Sequence, residues 1–314
     1  MPIEELSCPF TFSWNRPLNA LVSSIKELGL IHPLLVWQKP GEYIVISGTR
    51  RLQALKELSI AMVPVLLEED FTRHISTCGT NPLETILKLA IEENRERGFN
   101  AAEKALIANL ISELPDGSSG KKDLMGRMDL LAPNIYKACL KACELGPLFL
   151  DSLACGSLDL ENIHAMESFT QSAKEAVRGL FHHLSMSYQK RRLWLELLND
   201  LYLQGGTHIE KLLSSQPFVA LGRHEEAVGR DYLYSLRYPK LTQYLKERHK
   251  LIIEMGLNAK TKLHLNDNLE DTRPSLTINF TSPKELILEL QRVLEIAQKP
   301  CFNQLWDLPW KDKN

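Results

Sequence analysis

Ser47-Gly48-Thr49-Arg50-Arg51-Leu52-Gln53-Ala54 decides how the first third of this chain folds. An apolar run, Tyr43-Ile44-Val45-Ile46, precedes it and reads as a buried strand. Leu52, Leu55 and Leu58 follow at helical spacing, so the octet is the turn between a strand and an amphipathic helix. A helix N-terminus carries partial positive charge from N–H groups without intrahelical partners, and its first turn favours Asp or Glu. Here it carries two arginines. An anion docked on the turn relieves that conflict. Glycine lets the backbone approach it, the helix N–H groups point at it, and paired guanidiniums offer bidentate donors. The string is equally compatible with Thr49 as an ordinary N-cap and two solvated arginines.

Outward from this turn, residues 20–28 read as a helix with Leu21, Ile25 and Leu28 on one face. Residues 33–37 and 63–67 read as further strands, which makes a small α/β unit. Asn81-Pro82-Leu83-Glu84 and Asn100-Ala101-Ala102-Glu103 each place a capping Asn three residues before a Glu, and so start helices. Helical periodicity then continues to about residue 215, broken at Pro115–Gly120, Gly146-Pro147, Gly156 and Gly205-Gly206. Residues 216–235 are weakly periodic and read as a linker. Beyond them a helix (241–255), two strands (261–266 and 275–282) and a helix capped by Ser282 form a last α/β unit. The expected class is therefore α+β. A small α/β domain spans 1–98, an all-helical domain 99–215 and a small α/β domain 216–314. At 314 residues the chain is long enough for each to bury a core.

Composition narrows the function. The chain is 44% hydrophobic and 24% charged, ordinary for a soluble protein, and no apolar stretch approaches the ~20 residues a bilayer span needs. The start, Met-Pro-Ile-Glu-Glu-Leu, has no basic segment leading an apolar one, so a cytoplasmic protein without membrane partners is expected. Cysteines 8, 78, 139, 143, 155 and 301 show no paired spacing and read as reduced thiols. A net charge of −2 argues against a generally basic nucleic-acid coat but leaves room for one basic face.

Three further strings carry chemistry. In Glu93-Asn94-Arg95-Glu96-Arg97, Asn94 falls on the apolar face set by Leu87 and Ile91, where its amide needs a partner. A carboxylate beside an amide can offer Mg²⁺ one or two oxygens, with phosphates and water completing the shell. Alternatively Asn94 satisfies a nearby backbone group, and Glu93 and Arg97 form a surface pair. Residues 121–145 contain two helices, 121–128 and 132–145, around a turn. In them Lys121, Lys122, Arg127, Lys137 and Lys141 outweigh Asp123, Asp129 and Glu144. A helix-turn-helix with Asn134, Tyr136, Lys137 and Lys141 toward DNA is one reading, and a plain helical hairpin is the other. Tyr188-Gln189-Lys190-Arg191-Arg192 is a compact basic cluster, a source of phosphate contacts or a solvated face.

Together these blocks resemble the ParB partition-protein family. Leu28-Gly29-Leu30-Ile31-His32-Pro33-Leu34-Leu35-Val36, then Ile46 to Ala54, then Glu93 to Arg97 with Asn100 to Ala105, match its successive signatures in order and spacing. The resemblance implies a ParB/sulfiredoxin-like N-terminal domain that binds CTP, with Gly48, Thr49, Arg50 and Arg51 on the triphosphate. It places Glu93 and Asn94 on Mg²⁺, Glu93 also promoting slow hydrolysis, Arg97 on a phosphate and His32 near the base, where the family usually has glutamine. Thr49, where sulfiredoxins need a nucleophilic cysteine, speaks against that chemistry. The family's Asn-Pro-x-x-Pro-Arg segment is reduced here to Ser13-Trp14-Asn15-Arg16-Pro17, leaving Arg16 as its candidate phosphate ligand. The resemblance further implies a helix-turn-helix near 121–145 on double-stranded DNA, with Lys121 and Lys122 added to the contacts named above. It also implies a homodimer joined through the C-terminal part, a ParA-like ATPase partner, and a nucleoid-associated role in chromosome or plasmid segregation. Two alternatives stay open: a ParB-fold nuclease or phosphotransferase, and a DNA-binding transcriptional regulator without nucleotide control.

Overall fold

Glycine 48 adopts φ +102°, a left-handed conformation that turns strand into helix, and the N-terminal layer is built around that turn. A computed structural model of the chain describes residues 1–9, 13–39, 41–67, 81–265 and 275–307, so Cys78 and the end of the strand expected at 266 lie outside the described residues. Strands β1 (Leu6–Ser7), β2 (Leu34–Lys39), β3 (Glu42–Ser47) and β4 (Val65–Leu67) form one sheet in the order β1-β3-β2-β4. The β2–β3 pair is antiparallel with a register shift between Leu35 and Val36, and β1–β3 and β2–β4 are parallel. Helices α1 (Asn19–Leu28) and α2 (Thr49–Glu57) pack together. Val36, Val45 and Leu34 join Ile25, Leu52 and Leu55 in one core, where each large side chain contributes about 1.5–3 kcal/mol. Ile44 and Ile46 alternate with Val45 and are buried too, and helix α3 (Pro82–Glu93) packs on β3 through Ile86, Leu87, Ala90 and Ile91.

The helical layer continues with α4 (Ala101–Ser112), α5 (Ser119–Arg127), α6 (Pro133–Leu145), α7 (Pro147–Ala154), α8 (Leu160–Ala165), α9 (Gln171–His183), α10 (Tyr188–Gly205), α11 (Ile209–Leu213) and α12 (Glu226–Arg237). Local chemistry sets its starts: Asn81 accepts from Leu83 N before Pro82, and Asn100 and Glu103 close a capping box. Trp194 of α10 is buried edge-on to Phe181 and Phe218. The reading of 216–235 as a linker needs correction. Residues 226–237 are helical, with Leu233 fully buried, and a Cβ at Gly229 would collide with the Trp194 ring. The mixed composition hid a helix whose close packing depends on a glycine.

By compactness the chain divides into residues 1–230 and 231–314. The second unit holds α13 (Pro239–Met255), an antiparallel hairpin β5 (Thr261–His264) and β6 (Ser275–Ile278), α14 (Pro283–Ala297) and α15 (Pro300–Asp307). Its core is Leu251, Met255, Ile296, Cys301 and Leu305. Buried Glu289 accepts from Asn258, Thr261 and Arg292, which ties α14 to the hairpin. The architecture is mixed α+β and mostly helical. No helix among the described residues is long and apolar enough to cross a membrane.

Candidate functional site

The strand-to-helix turn opens into a cavity of about 220 Å³ lined by Ser47, Gly48, Thr49, Arg50 and Arg51 on one side and Glu93, Asn94 and Arg97 on the other. The fold thus brings together two strings more than 40 residues apart. Gly48, not Thr49, occupies the N-cap position of α2 and offers no side-chain cap, which leaves the first N–H groups of the helix to other acceptors. A Cβ at Gly48 would stand 2.7 Å from Leu34 Cδ2 and 3.2 Å from Arg51 Nε. Thr49 is buried, with its Oγ1 3.4 Å from Cys8 Sγ.

Both arginines are oriented by backbone oxygens. Arg50 Nη2 donates to Pro17 O at 2.7 Å, and Arg51 Nη1 donates to His32 O and Pro33 O, each at 2.7 Å. Carbonyls fix the guanidinium planes without neutralising them, and among the described residues neither arginine forms an ion pair with a carboxylate. Arg50 Nε is buried with no hydrogen-bond partner there. Burial pushes the Arg50 pKa down, and the charges of Arg97 and Arg16 add to this against a partial offset from Glu103. Burial also lowers that of Arg51, opposed by Glu93. Positive charge held in a concave site without an ion pair suits a polyanion.

Opposite, Glu93 ends α3, and its Oε2 accepts from Ser47 Oγ at 3.4 Å. Asn94 caps the helix C-terminus. Its Nδ2 donates to Ala90 O at 2.8 Å and its Oδ1 accepts from Arg97 Nε at 2.9 Å, which supplies the partners its amide needs. The expected Glu93–Arg97 surface pair is not what forms. Arg97 turns instead to Glu103, Nη1 to Oε1 at 2.9 Å. Among the described residues no three His, Cys, Asp or Glu side chains gather as a metal cluster. Glu93 and Asn94 place a carboxylate and an amide side by side in the cavity lining.

Glu103 is the residue that sequence reasoning underrated. Fully buried, it receives Arg16 Nε at 2.8 Å, Arg16 Nη2 at 2.7 Å, Arg97, Trp14 N and Asn100 N. Burial pushes its carboxyl up, but the hydrogen bonds from Arg16, Arg97 and Asn100 outweigh that and hold it below the ordinary range. Trp14 anchors the same segment, donating from Nε1 to Asp151 at 3.0 Å. The spacing showed a capping box at Glu103; nothing local showed that Arg16, 87 residues away, joins Arg97 on it. Arg16 is thereby committed to Glu103 and Gly98 O rather than lining the cavity, and the exposed His32 meets the site through its carbonyl.

In the helical layer, α5 and α6 are joined through Asp129 at φ +57° and a Leu130 N to Met125 O bond at 2.8 Å. Lys122, Asn134 and Lys137 are exposed. Lys141 pairs with Glu144 at 2.7 Å. Lys121 turns back to Asp116 at 2.7 Å and to Leu114 O at 3.0 Å, and the Tyr136 hydroxyl is buried without a partner. The cluster at 188–192 is largely spent on internal carboxylates: Lys190 on Glu226, Arg191 on Asp159 and Arg192 on Glu196. Cys139 and Cys143 are thiols shielded by α6, raised by burial to about 12 and about 11. Helix α3 touches α5 at both ends. Glu92 pairs with Arg127 at 3.5 Å, and a Cβ on Gly120 would collide with the Glu84 carboxylate.

Residues 8–79 match the family model of the ParB N-terminal domain, so this part of the chain is ParB-like. "Probable chromosome-partitioning protein ParB" of Campylobacter jejuni is 36% identical over 80 residues, 26% of this chain and 25% of that protein. The "Nucleoid occlusion protein" of Halalkalibacterium halodurans is 27% identical over 118 residues, 36% of this chain and 38% of that one. The matched region thus spans about a quarter to two-fifths of these relatives. Among solved structures, C-terminally truncated ParB from Caulobacter crescentus is similar in two crystal structures. The one complexed with CTP-γ-S aligns over 58% of this chain and 96% of that chain, at 22% identity and a TM-score of 0.24. The one complexed to the parS site aligns over 62% and 97%, at 18% identity and a TM-score of 0.33.

Proposed function

We propose that this ParB-like chain is a nucleotide-controlled DNA-binding protein of chromosome or plasmid segregation. In this reading the cavity at the head of α2 binds CTP with Mg²⁺, and α5 and α6 form a helix-turn-helix on double-stranded DNA. The observation that carries it is the uncompensated guanidinium pair, with Arg50 Nε buried and unpartnered, facing Glu93 and Asn94 across one cavity. The choice of cytidine comes from the ParB likeness of residues 8–79; the cations by themselves fit any nucleoside triphosphate.

Each residue then has a role. Gly48 lets a phosphate approach the backbone, and the uncapped N–H groups of α2 point toward it. Arg50 and Arg51 supply fixed positive charge, and Arg97 reaches a phosphate when it leaves Glu103. Glu93, with Asn94, holds Mg²⁺, and Glu93 orients water for slow hydrolysis. A bound Mg–triphosphate supplies dense negative charge that competes with Glu103 for Arg97 and Arg16. Releasing them loosens the 13–17 segment from α4 and α7, and α3 conveys the change to α5 through Glu92–Arg127. This is a population shift driven by differential contacts, closing a clamp on DNA when nucleotide binds and opening it on hydrolysis. Asn134 and Lys137, early in α6, face base edges, while Lys122 and Lys141 face phosphates. The exposed stripe Ile287, Leu290 and Leu294 on α14 joins two copies. A ParA-like ATPase and the nucleoid are the partner and the location this role calls for.

Sequencing the DNA captured by the full chain with and without CTP tests the reading. The wild type should enrich a short recurrent sequence, and CTP should extend coverage into flanking DNA. Arg50→Ala should keep the site and lose the CTP effect. A CTP effect that survives Arg50→Ala, or no enrichment at all, contradicts the reading. DNA breakdown abolished by Glu93→Gln would replace it with the nuclease alternative.

A further inference from the structure

A second cavity, of about 510 Å³, lies on the flank of α6. Lys137, Lys141 and Glu144 wall it from α6, His164 from α8, Lys174 from α9, and Glu167 from the turn between those last two helices. Of its two carboxylates, Glu144 pairs with Lys141 at 2.7 Å and Glu167 lies 3.5 Å from His164 Nδ1. Two ammoniums remain without a carboxylate partner among the described residues. Lys137 stands exposed at the rim. Lys174 is only 6% exposed, and its Nζ donates to Glu167 O at 3.3 Å. Burial lowers the Lys174 pKa and the charge of Lys141 adds to it, against a partial offset from Glu167 and Glu144.

A charge taken from water is costly unless paired, and one backbone carbonyl does not pair an ammonium. The cavity therefore holds a buried cation, a second lysine close enough to repel it and a third at the mouth, against two carboxylates, so the lysines are in excess by one charge. That arrangement is stabilised by an anion with several acceptor oxygens. We infer that this cavity is a phosphate seat, with Lys174 as its buried donor and Lys141 and Lys137 closing on the same group. It is separate from the α2 cavity, and none of its lining residues is shared with that site. Two sources carry the same chemistry. One is a DNA backbone phosphate beside α6, which rests on the proposed DNA reading; the other is the phosphate of a small free molecule, which does not.

The test uses the full chain and inorganic phosphate, with the His164 ring as a reporter inside the cavity, assigned by His164→Gln. Titration should shift the His164 ring resonances saturably, where chloride at equal ionic strength does not. Lys174→Gln should weaken the apparent affinity by about tenfold, the loss of one charge-assisted hydrogen bond, and Lys174→Arg should largely restore it. Lys141→Gln, away from the buried position, keeps the experiment readable if Lys174→Gln does not fold, and it should weaken phosphate too. Phosphate and chloride acting alike, or unchanged affinity in the lysine variants, overturns the seat. The two sources then separate. If DNA supplies the group, duplex displaces phosphate and Lys174→Gln lowers the salt slope of DNA binding by about one. If a free molecule supplies it, duplex leaves bound phosphate in place and the slope is unchanged. Failure of the wild type to bind any DNA would remove the proposed function while leaving the phosphate result intact.

Discussion

At φ +102°, with Leu34 Cδ2 2.7 Å from where a Cβ would stand, position 48 accepts only glycine. Gly48→Ala should cost about 1–2 kcal/mol from the left-handed backbone alone, with the clash added, as read by urea denaturation. It should also abolish nucleotide binding, whereas Thr49→Ser should do neither. Glu103 gives a second test. Its folded-state carboxyl is held below the unfolded value, so its stabilisation is fully present above the ordinary carboxylate range. It is lost as pH falls through that range toward the depressed folded value. Glu103→Gln should flatten this acid limb in melts taken at stepped pH. It should also destabilise by something below the roughly 3–5 kcal/mol of a fully buried broken pair, because Arg16 and Arg97 keep 24% and 21% of their side-chain surface in water. A limb as steep as that of the wild type would contradict the assignment. The capping box that places Glu103 was legible, since Asn100 and Glu103 stand three apart. Its pairing with Arg16 was not, because Arg16 arrives from 87 residues away and no local pattern encodes that approach. Asn94 was legible as an amide needing partners. Its place at the helix end, bonded to Ala90 O and Arg97, comes from where α3 stops.

Helices α5 and α6 were readable from periodicity, and their surface now separates lysines that looked alike in sequence. Lys137 is exposed, whereas Lys121 is bound to Asp116 and Leu114 O. Lys137→Gln should therefore lower the slope of log affinity against log salt by about one. Lys121→Gln should leave that slope alone and lower stability instead. Asn134→Ala should cost about 1–3 kcal/mol on the preferred site and little on unrelated duplex, measured by fluorescence anisotropy. Equal losses on both duplexes would place Asn134 on the backbone rather than on bases. Other starts were clear because caps are local: Asn81, Asn100 and Ser282 each accept from a backbone N–H two or three residues on. Helix α12 was missed for the opposite reason. Gly229 and charges at 226, 230, 231 and 237 blur its period, and the Trp194 ring that Gly229 admits comes from distant sequence. The basic run at 188–192 left phosphate contacts and a solvated face equally open, because the carboxylates that hold Lys190 and Arg191 come from distant sequence at α8 and α12.

Taken whole, the molecule comprises two compact units, and each proposed activity belongs to a different surface. In the second unit, Ile287, Leu290 and Leu294 lie exposed along α14 while Ile296 faces its core. A double change, Leu290→Glu with Leu294→Glu, should convert a dimer to a monomer in sedimentation equilibrium and leave the melting temperature of the fold close to unchanged. A wild type that sediments as a monomer at every concentration would remove the dimer. The cavity at the head of α2 bears the account's central claim, that a chain charging its helix start with two uncompensated arginines does so for a polyanionic ligand. Isothermal titration of the full chain with Mg–CTP, alone and with its captured DNA, tests this most directly. The account predicts saturable binding of CTP, with the other nucleoside triphosphates weaker and with Arg50→Ala silent. No heat of binding for CTP in the presence or absence of DNA would contradict it.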